Sequence, residues 1–197
     1  MSGTMKAKKI AIIALPRFWL LLLSTAMIFL AGWISSAQPK VLQTKLFLSR
    51  QAVHAGENIA LALKLEIAPN WHINAPGLTD EFLIPCSLEV SDTANYHVLE
   101  YYYPPPEKGK FPFSEQELTF FAGETILGAL LEIPATVSPG KIKIQASFTY
   151  QACDDRSCLP PETRPLEAEI EVVPPDQPTE ELNPEIFSQL KFSRAKK

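Results

Sequence analysis

The chain has 197 residues and a net charge of −4, from 18 basic and 22 acidic side chains. Eighteen prolines against eight glycines suit short strands joined by stiff turns better than a helical protein. The first 37 residues hold four of the basic side chains and no acidic one, so without them the charge falls from −4 to −8, which argues against nucleic acid as a partner.

In chain order, Lys6, Lys8 and Lys9 form a basic start, and residues 18–34 are a charge-free, mostly apolar run. Ser35, Ser36 and Ala37 follow, the small residues of a secretory cleavage site after Ala37. The alternative is an uncleaved anchor within residues 10–34, since the 17 apolar residues 18–34 are near the minimum for crossing a bilayer. Residues 1–37 are therefore read as signal peptide or membrane anchor. Either reading makes the rest extracytoplasmic, periplasmic if the cell has that compartment, and released or anchored to the inner membrane.

Residues 38–175 carry strand signals. Ile59, Leu61, Leu63, Leu65 and Ile67 share one face, Ala60, Ala62, Lys64 and Glu66 the other, and Pro69-Asn70 ends the run. Alternation returns at 84–90, 127–133, 142–150 and 166–172, each bounded by Pro, Gly, Asn or Asp. Weaker strands are expected at 45–50, 96–103 and 118–121. Cys86 alternates with Ile84, Leu88 and Val90, so it reads as a small core residue. Trp71 reads as a core plug, "YYYPPPE" at 101–107 as an edge strand ending in a stiff turn or a partner contact, and the acids around Glu115 as a solvated face. No segment before residue 180 has a clear 3.6-residue apolar period. The fold class is all-β, an immunoglobulin-like antiparallel β-sandwich preceded by the N-terminal signal or anchor helix. Residues 176–197 read as an acidic, proline-rich, solvated tail, with a short helix capped by Asn183, started by Pro184 and carrying Ile186, Phe187 and Leu190.

Two of the three cysteines lie in "YQACDDRSCLPPE", residues 150–162. In an oxidising compartment such a pair forms a disulfide. As a staple it contributes little, because closing so few residues is worth about 2 kcal/mol. As a metal site it lacks the second close pair that structural zinc usually has, although His72 offers a third ligand to Cys153 and Cys158. As an exchanging disulfide it is well placed, in a polar loop at a strand end. It lacks the Cys-X-X-Cys spacing, and Asp154 and Asp155 oppose thiolate formation, which suits a disulfide attacked by another protein's thiolate. All three readings stay open on the residues alone.

The frame Tyr-Gln-x-Cys…Cys-x-Pro-Pro-Glu, preceded by "KIKIQASFT", resembles the N-terminal domain of the thiol:disulfide interchange protein DsbD, also labelled the disulfide bond corrector family. "GENIALALKLEIAPNWHINA", "FLIPCSLEV" and "FFAGE" fall in the family's order, and the similarity covers about residues 45–173. The resemblance implies an immunoglobulin-like protein-disulfide reductase module that relays electrons, with Cys153 and Cys158 as the exchanging pair. It implies thioredoxin-like redox proteins and a membrane electron conduit as donors, and disulfide proteins, including cytochrome c biogenesis factors, as clients. The chain holds neither the conduit nor the thioredoxin-like part, so both are expected as separately encoded proteins. A cap loop is implied at "LTFFAGE", with Phe120 and Phe121 as the lid. His72 and Asn74, in "NWHIN", stand where relatives have tyrosines near the pair, and Tyr150, Asp154 and Asp155 complete the expected neighbourhood. Some relatives also have one more residue between the cysteines. No cofactor or resident metal is expected. The rivals are a non-catalytic interaction module with a structural disulfide and an extracytoplasmic metal-binding protein.

Overall fold

The computed structural model describes residues 40–77 and 80–193, so the proposed signal or anchor in 1–37 and the end of the basic terminus lie outside the described residues. Among the described residues, no helix is long and apolar enough to cross a membrane.

Twelve strands are described: β1 Leu42–Leu48, β2 Ala52–His54, β3 Asn58–Ile67, β4 His72–Asn74, β5 Ser87–Val90, β6 His97–Tyr102, β7 Glu107–Lys110, β8 Glu117–Ala122, β9 Glu124–Glu132, β10 Gly140–Tyr150, β11 Ala152–Cys153 and β12 Glu162–Val173. A one-turn helix, α1, spans Pro184–Phe187. One sheet has the order β1-β3-β9-β6, a second β2-β12-β10-β5, and a third, smaller sheet β11-β4-β8-β7. The architecture is the immunoglobulin-like β-sandwich expected, antiparallel throughout except that β2 runs parallel to β12.

Alternation explains the layering. Ile59, Leu61, Leu63 and Leu65 of β3 and Leu127, Ala129 and Leu131 of β9 meet Ile144, Ala146 and Phe148 of β10 and Ile170 and Val172 of β12 in one core. Period-two side chains put every second residue on that inner face. Cys86 is buried there too, and its apolar surroundings push its thiol up to about 12.

The third sheet grows from the ends of the two main layers. β8 passes into β9 through Gly123, whose φ of 60° suits a residue without Cβ. β10 passes into β11 through Gln151. Two strands of the smaller sheet, β8 and β11, are therefore continuous with strands of the sandwich.

Residues 174–181 are largely exposed, and beyond them the apolar residues expected on the short helix pack on the sandwich. Leu190 is buried against Ala62 and Ile126 on the outer face of the β3–β9 pair, with Ile186, Phe187 and Phe192 packed around it. A Cβ at residue 128 would lie 2.8 Å from Leu190 Cδ1, so the glycine of β9 makes room for the tail. Asn183 is not the side-chain cap expected. It adopts φ 50° and ψ 50°, makes no side-chain cap bond, and instead its carbonyl accepts from Ile186 N and Phe187 N. A capping side chain needs extended backbone to reach the first turn, and left-handed geometry directs it elsewhere.

Candidate functional site

The register of the small sheet decides which side chains meet. Cys153 lies opposite His72 and Ala152 opposite Ile73. Across β4, His72 lies opposite Ala122, Ile73 opposite Phe121 and Asn74 opposite Phe120. Directly opposed residues share a face. Ile73, Phe121 and Ala152 therefore enter the core, while Cys153, His72, Asn74 and Phe120 share the other face.

Cys153 and Cys158 form a disulfide with Cα atoms 4.0 Å apart. Cys153 is 0% exposed, whereas Cys158 is only half-buried. The loop between them is held by Asp154. Its Oδ1 accepts from the backbone N–H of Arg156 at 2.8 Å and of Ser157 at 2.7 Å, and its own N–H donates to Ser157 O at 2.9 Å. These two donors hold its carboxyl below the usual range. Asp154 thus spends its charge on its own loop, a role the sequence reading did not assign it. Asp155 and Arg156 are exposed.

A polar floor lies beneath the disulfide. Asn74 is 0% exposed, and its Nδ2 donates to Ile84 O at 3.2 Å and Gln151 Oε1 at 3.1 Å, with Cys153 Sγ at 4.0 Å. Gln151 is fixed in turn: its Oε1 accepts from Ile84 N at 2.9 Å and its Nε2 donates to Leu159 O at 3.3 Å. Ile84 N–H can only donate and Leu159 O can only accept, so the orientation of both amides follows from the backbone. The glutamine of the Tyr-Gln-x-Cys frame therefore ties the segments on both sides of the disulfide together. The sequence reading quoted it without giving it a role.

Aromatic rings cover His72. Phe111 stacks on the imidazole with centroids 4.2 Å apart, Phe113 lies 6.4 Å away, and Phe120 is tilted at 5.2 Å. Phe111 contacts Phe113 and Phe120, each at 5.4 Å. Burial is the main cause that lowers the His72 pKa, with Asp154 opposing it, and Nε2 has no hydrogen-bond partner. The β7–β8 connection carrying Phe111 and Phe113 is held to the 77–86 segment by Ser114 Oγ donating to Asp80 Oδ2 at 2.9 Å.

Two expected neighbours stand elsewhere. Phe121, paired with Phe120 as a lid, leaves β8 on the opposite face and is a core residue, 3% exposed. Successive strand residues point to opposite faces, so the two phenylalanines cannot act together. Tyr150 is also in the core, stacked on Phe148, with its hydroxyl donating to Glu162 Oε2 at 2.6 Å and accepting from Arg164 Nη2 at 2.7 Å. Among the described residues, no group of three or more His, Cys, Asp or Glu is arranged to hold a metal ion.

The family model for the thiol:disulfide interchange protein DsbD, N-terminal, matches residues 39–169. The chain belongs to this family. The DsbD N-terminal match spans the sandwich from β1 into β12 and includes both cysteines, and membership gives the domain a general role in thiol:disulfide interchange. No curated protein matches the chain. Among solved structures, the N-terminal periplasmic domain of ScsB from Proteus mirabilis is similar at TM-score 0.47 and 14% identity, over 74% of this chain and 53% of that one. The chain thus spans about half of that protein's crystallised length. The reduced Neisseria meningitidis DsbD n-terminal domain is similar at TM-score 0.39 and 12% identity, over 75% of this chain and 96% of that one.

Proposed function

We propose that this domain is an extracytoplasmic protein-disulfide reductase module that passes electron pairs through Cys153 and Cys158. The observation that carries the reading is the asymmetry of the disulfide: one sulfur's residue is fully buried, the other is within reach of solvent. An incoming thiolate attacks the sulfur it can reach, which supports Cys158 as the point of entry. A donor thiolate forms a new S–S bond with Cys158 Sγ. The Cys153–Cys158 bond breaks, and its electron pair leaves on Cys153 Sγ, which then takes a proton. The donor's second thiolate attacks the donor sulfur of the mixed disulfide and expels Cys158. The donor dithiol is oxidised, and this disulfide becomes a dithiol ready to reduce a client by the same steps reversed.

Donors are thioredoxin-like proteins or a membrane electron conduit, and clients are disulfide-bearing proteins, among them cytochrome c biogenesis factors. Phe111, Phe113 and Phe120 act as the cap that limits access to the pair, a role moved here from Phe121. Phe82, 84% exposed, and Ile84 lie on the segment tied to Gln151 and offer apolar surface to a docking partner.

The test is the reduction potential, read by equilibrating the full chain with dithiothreitol or glutathione mixtures and counting free thiols. A carrier should lie above about −300 mV, whereas a structural bridge should lie below it. A value below that boundary, with no reduction by a thioredoxin-like protein, would return the disulfide to a structural role.

A further inference from the structure

The Asn74 amide faces a buried redox sulfur with one polar atom unused. Its Nδ2 has two hydrogens and three acceptors within reach: Ile84 O, Gln151 Oε1 and, most distant at 4.0 Å, Cys153 Sγ. Its Oδ1 is buried without a partner. An unpartnered buried acceptor is costly and calls for an explanation. In the oxidised protein, a disulfide sulfur is a poor acceptor and offers no proton, so it answers neither end of the amide.

Reduction changes both terms. When Cys153 leaves as a thiolate it becomes the strongest acceptor in the site, and an amide hydrogen can turn to it. Once protonated, its S–H is a donor where the oxidised form had none, and Oδ1 is the unpartnered acceptor of the amide that faces it. The amide complements both products of reduction better than it complements the disulfide.

We propose that Asn74 is a rate- and potential-setting residue of the exchange, stabilising Cys153 as a leaving thiolate through Nδ2 and as a thiol through Oδ1. This rests on the exchange reading above and adds to it the group that receives the buried sulfur. The electron pair of the broken S–S bond resides on Cys153 Sγ, and the proton it takes comes from the donor thiol or from water. Gln151 positions the amide by holding Nδ2. The charged and titratable groups nearby are His72 on β4 and Asp154, Asp155 and Arg156 in the loop, and a change at residue 74 leaves all of them in place.

The experiment compares the parent with Asn74→Leu, which keeps the size and removes both polar atoms. A hydrogen bond to an ionised partner is worth about a factor of ten or more. The second-order rate of reduction by dithiothreitol should fall about tenfold. The equilibrium constant for reduction, whose product is the neutral thiol, should fall about fivefold, a potential about 20 mV lower for this two-electron couple. Melting of the oxidised and reduced forms separates this from a structural effect, which would lower both alike and leave the potential where it was. An unmoved potential overturns the assignment and leaves Asn74 a tie between segments. Should Asn74→Leu not fold, the unmutated protein answers: the side-chain carbonyl carbon resonance of Asn74 should shift on reduction, and a resonance that stays put refutes the proposal. Dithiothreitol needs no protein partner, so these readouts stand apart from whether a thioredoxin-like donor acts on the domain.

Discussion

Replacing Phe111 with alanine tests the aromatic cover most sharply. The ring stacks on His72 at 4.2 Å and touches Phe113 and Phe120 at 5.4 Å, so one substitution removes three ring contacts. Each such pair is worth about 0.5–1.5 kcal/mol beyond buried area. Contacts of Phe113 and Phe120 with His72 remain, so the cover is weakened rather than abolished, by about 2 kcal/mol in total. At a factor of ten for each 1.4 kcal/mol, the open state should rise roughly 10- to 30-fold. If opening admits the attacking thiol, reduction of the oxidised full chain by dithiothreitol, followed by free-thiol release, should accelerate by a similar factor. The imidazole gives a second readout. Burial is what lowers the His72 pKa, so its NMR titration midpoint should move up toward the ordinary value. A raised midpoint with an unchanged reduction rate would show that the rings cover His72 and not the disulfide.

The remaining predictions address stability and pH. Cys153→Ser with Cys158→Ser should fold, lose about 2 kcal/mol in urea unfolding, and keep the parent's far-UV circular dichroism; an unfolded double variant would make the bridge structural. Gly128→Ala should loosen the tail by about 1–3 kcal/mol through overpacking against Leu190, and adding Leu190→Ala should recover part of that loss; additive losses would refute the packing. His72 has a folded-state pKa below its unfolded one, so the unfolded chain binds the proton first as pH falls. Its contribution is present above the unfolded value of about 6.5 and is lost as pH falls through it toward the folded value. The melting temperature should therefore decline more steeply below that point in the parent than in His72→Phe, and parallel declines would contradict the burial argument. His54 is raised by its bonds to Gln177 and Glu57 and acts in the opposite direction, identically in both proteins.

The sandwich was legible wherever a strand is buried on one face. β3 and β10 are long, and their period-two pattern names the core residues directly. β9 was legible although both of its faces are covered, because its inner residues still alternate across Leu127, Ala129 and Leu131. β2, β4, β7 and β11 were not legible. They are two to four residues long, and β7 reads Glu-Lys-Gly-Lys, so their pairing comes from neighbours and not from a pattern of their own. Three of these four build the small sheet, which is why the site was harder to read than the fold. Asn74 entered the reading only through the family resemblance and His72 also as a possible metal ligand, and the register then put them on the face of Cys153. Phe111 and Phe113 sit in a proline-broken polar stretch, and only the return of β8 alongside β4 brings them to His72. Gln151 was quoted in the cysteine motif, but its work is long-range, toward Ile84 and Asn74. In the tail the short helix and its apolar residues Ile186, Phe187 and Leu190 were legible, but their docking on a patch opened by Gly128 was not, because it depends on the outer face of β3 and β9.

The central claim is electron passage through an accessible Cys158 with Cys153 as the buried leaving sulfur. The most direct measurement mixes the oxidised full chain with a reduced thioredoxin-like protein whose second, resolving cysteine is serine, so that the mixed disulfide cannot turn over. Peptide mass spectrometry then locates the link. The expected product is a covalent adduct on Cys158, with Cys153 free and alkylated once the adduct is unfolded. An adduct on Cys153, or no adduct while the same donor reduces a control disulfide, would contradict it.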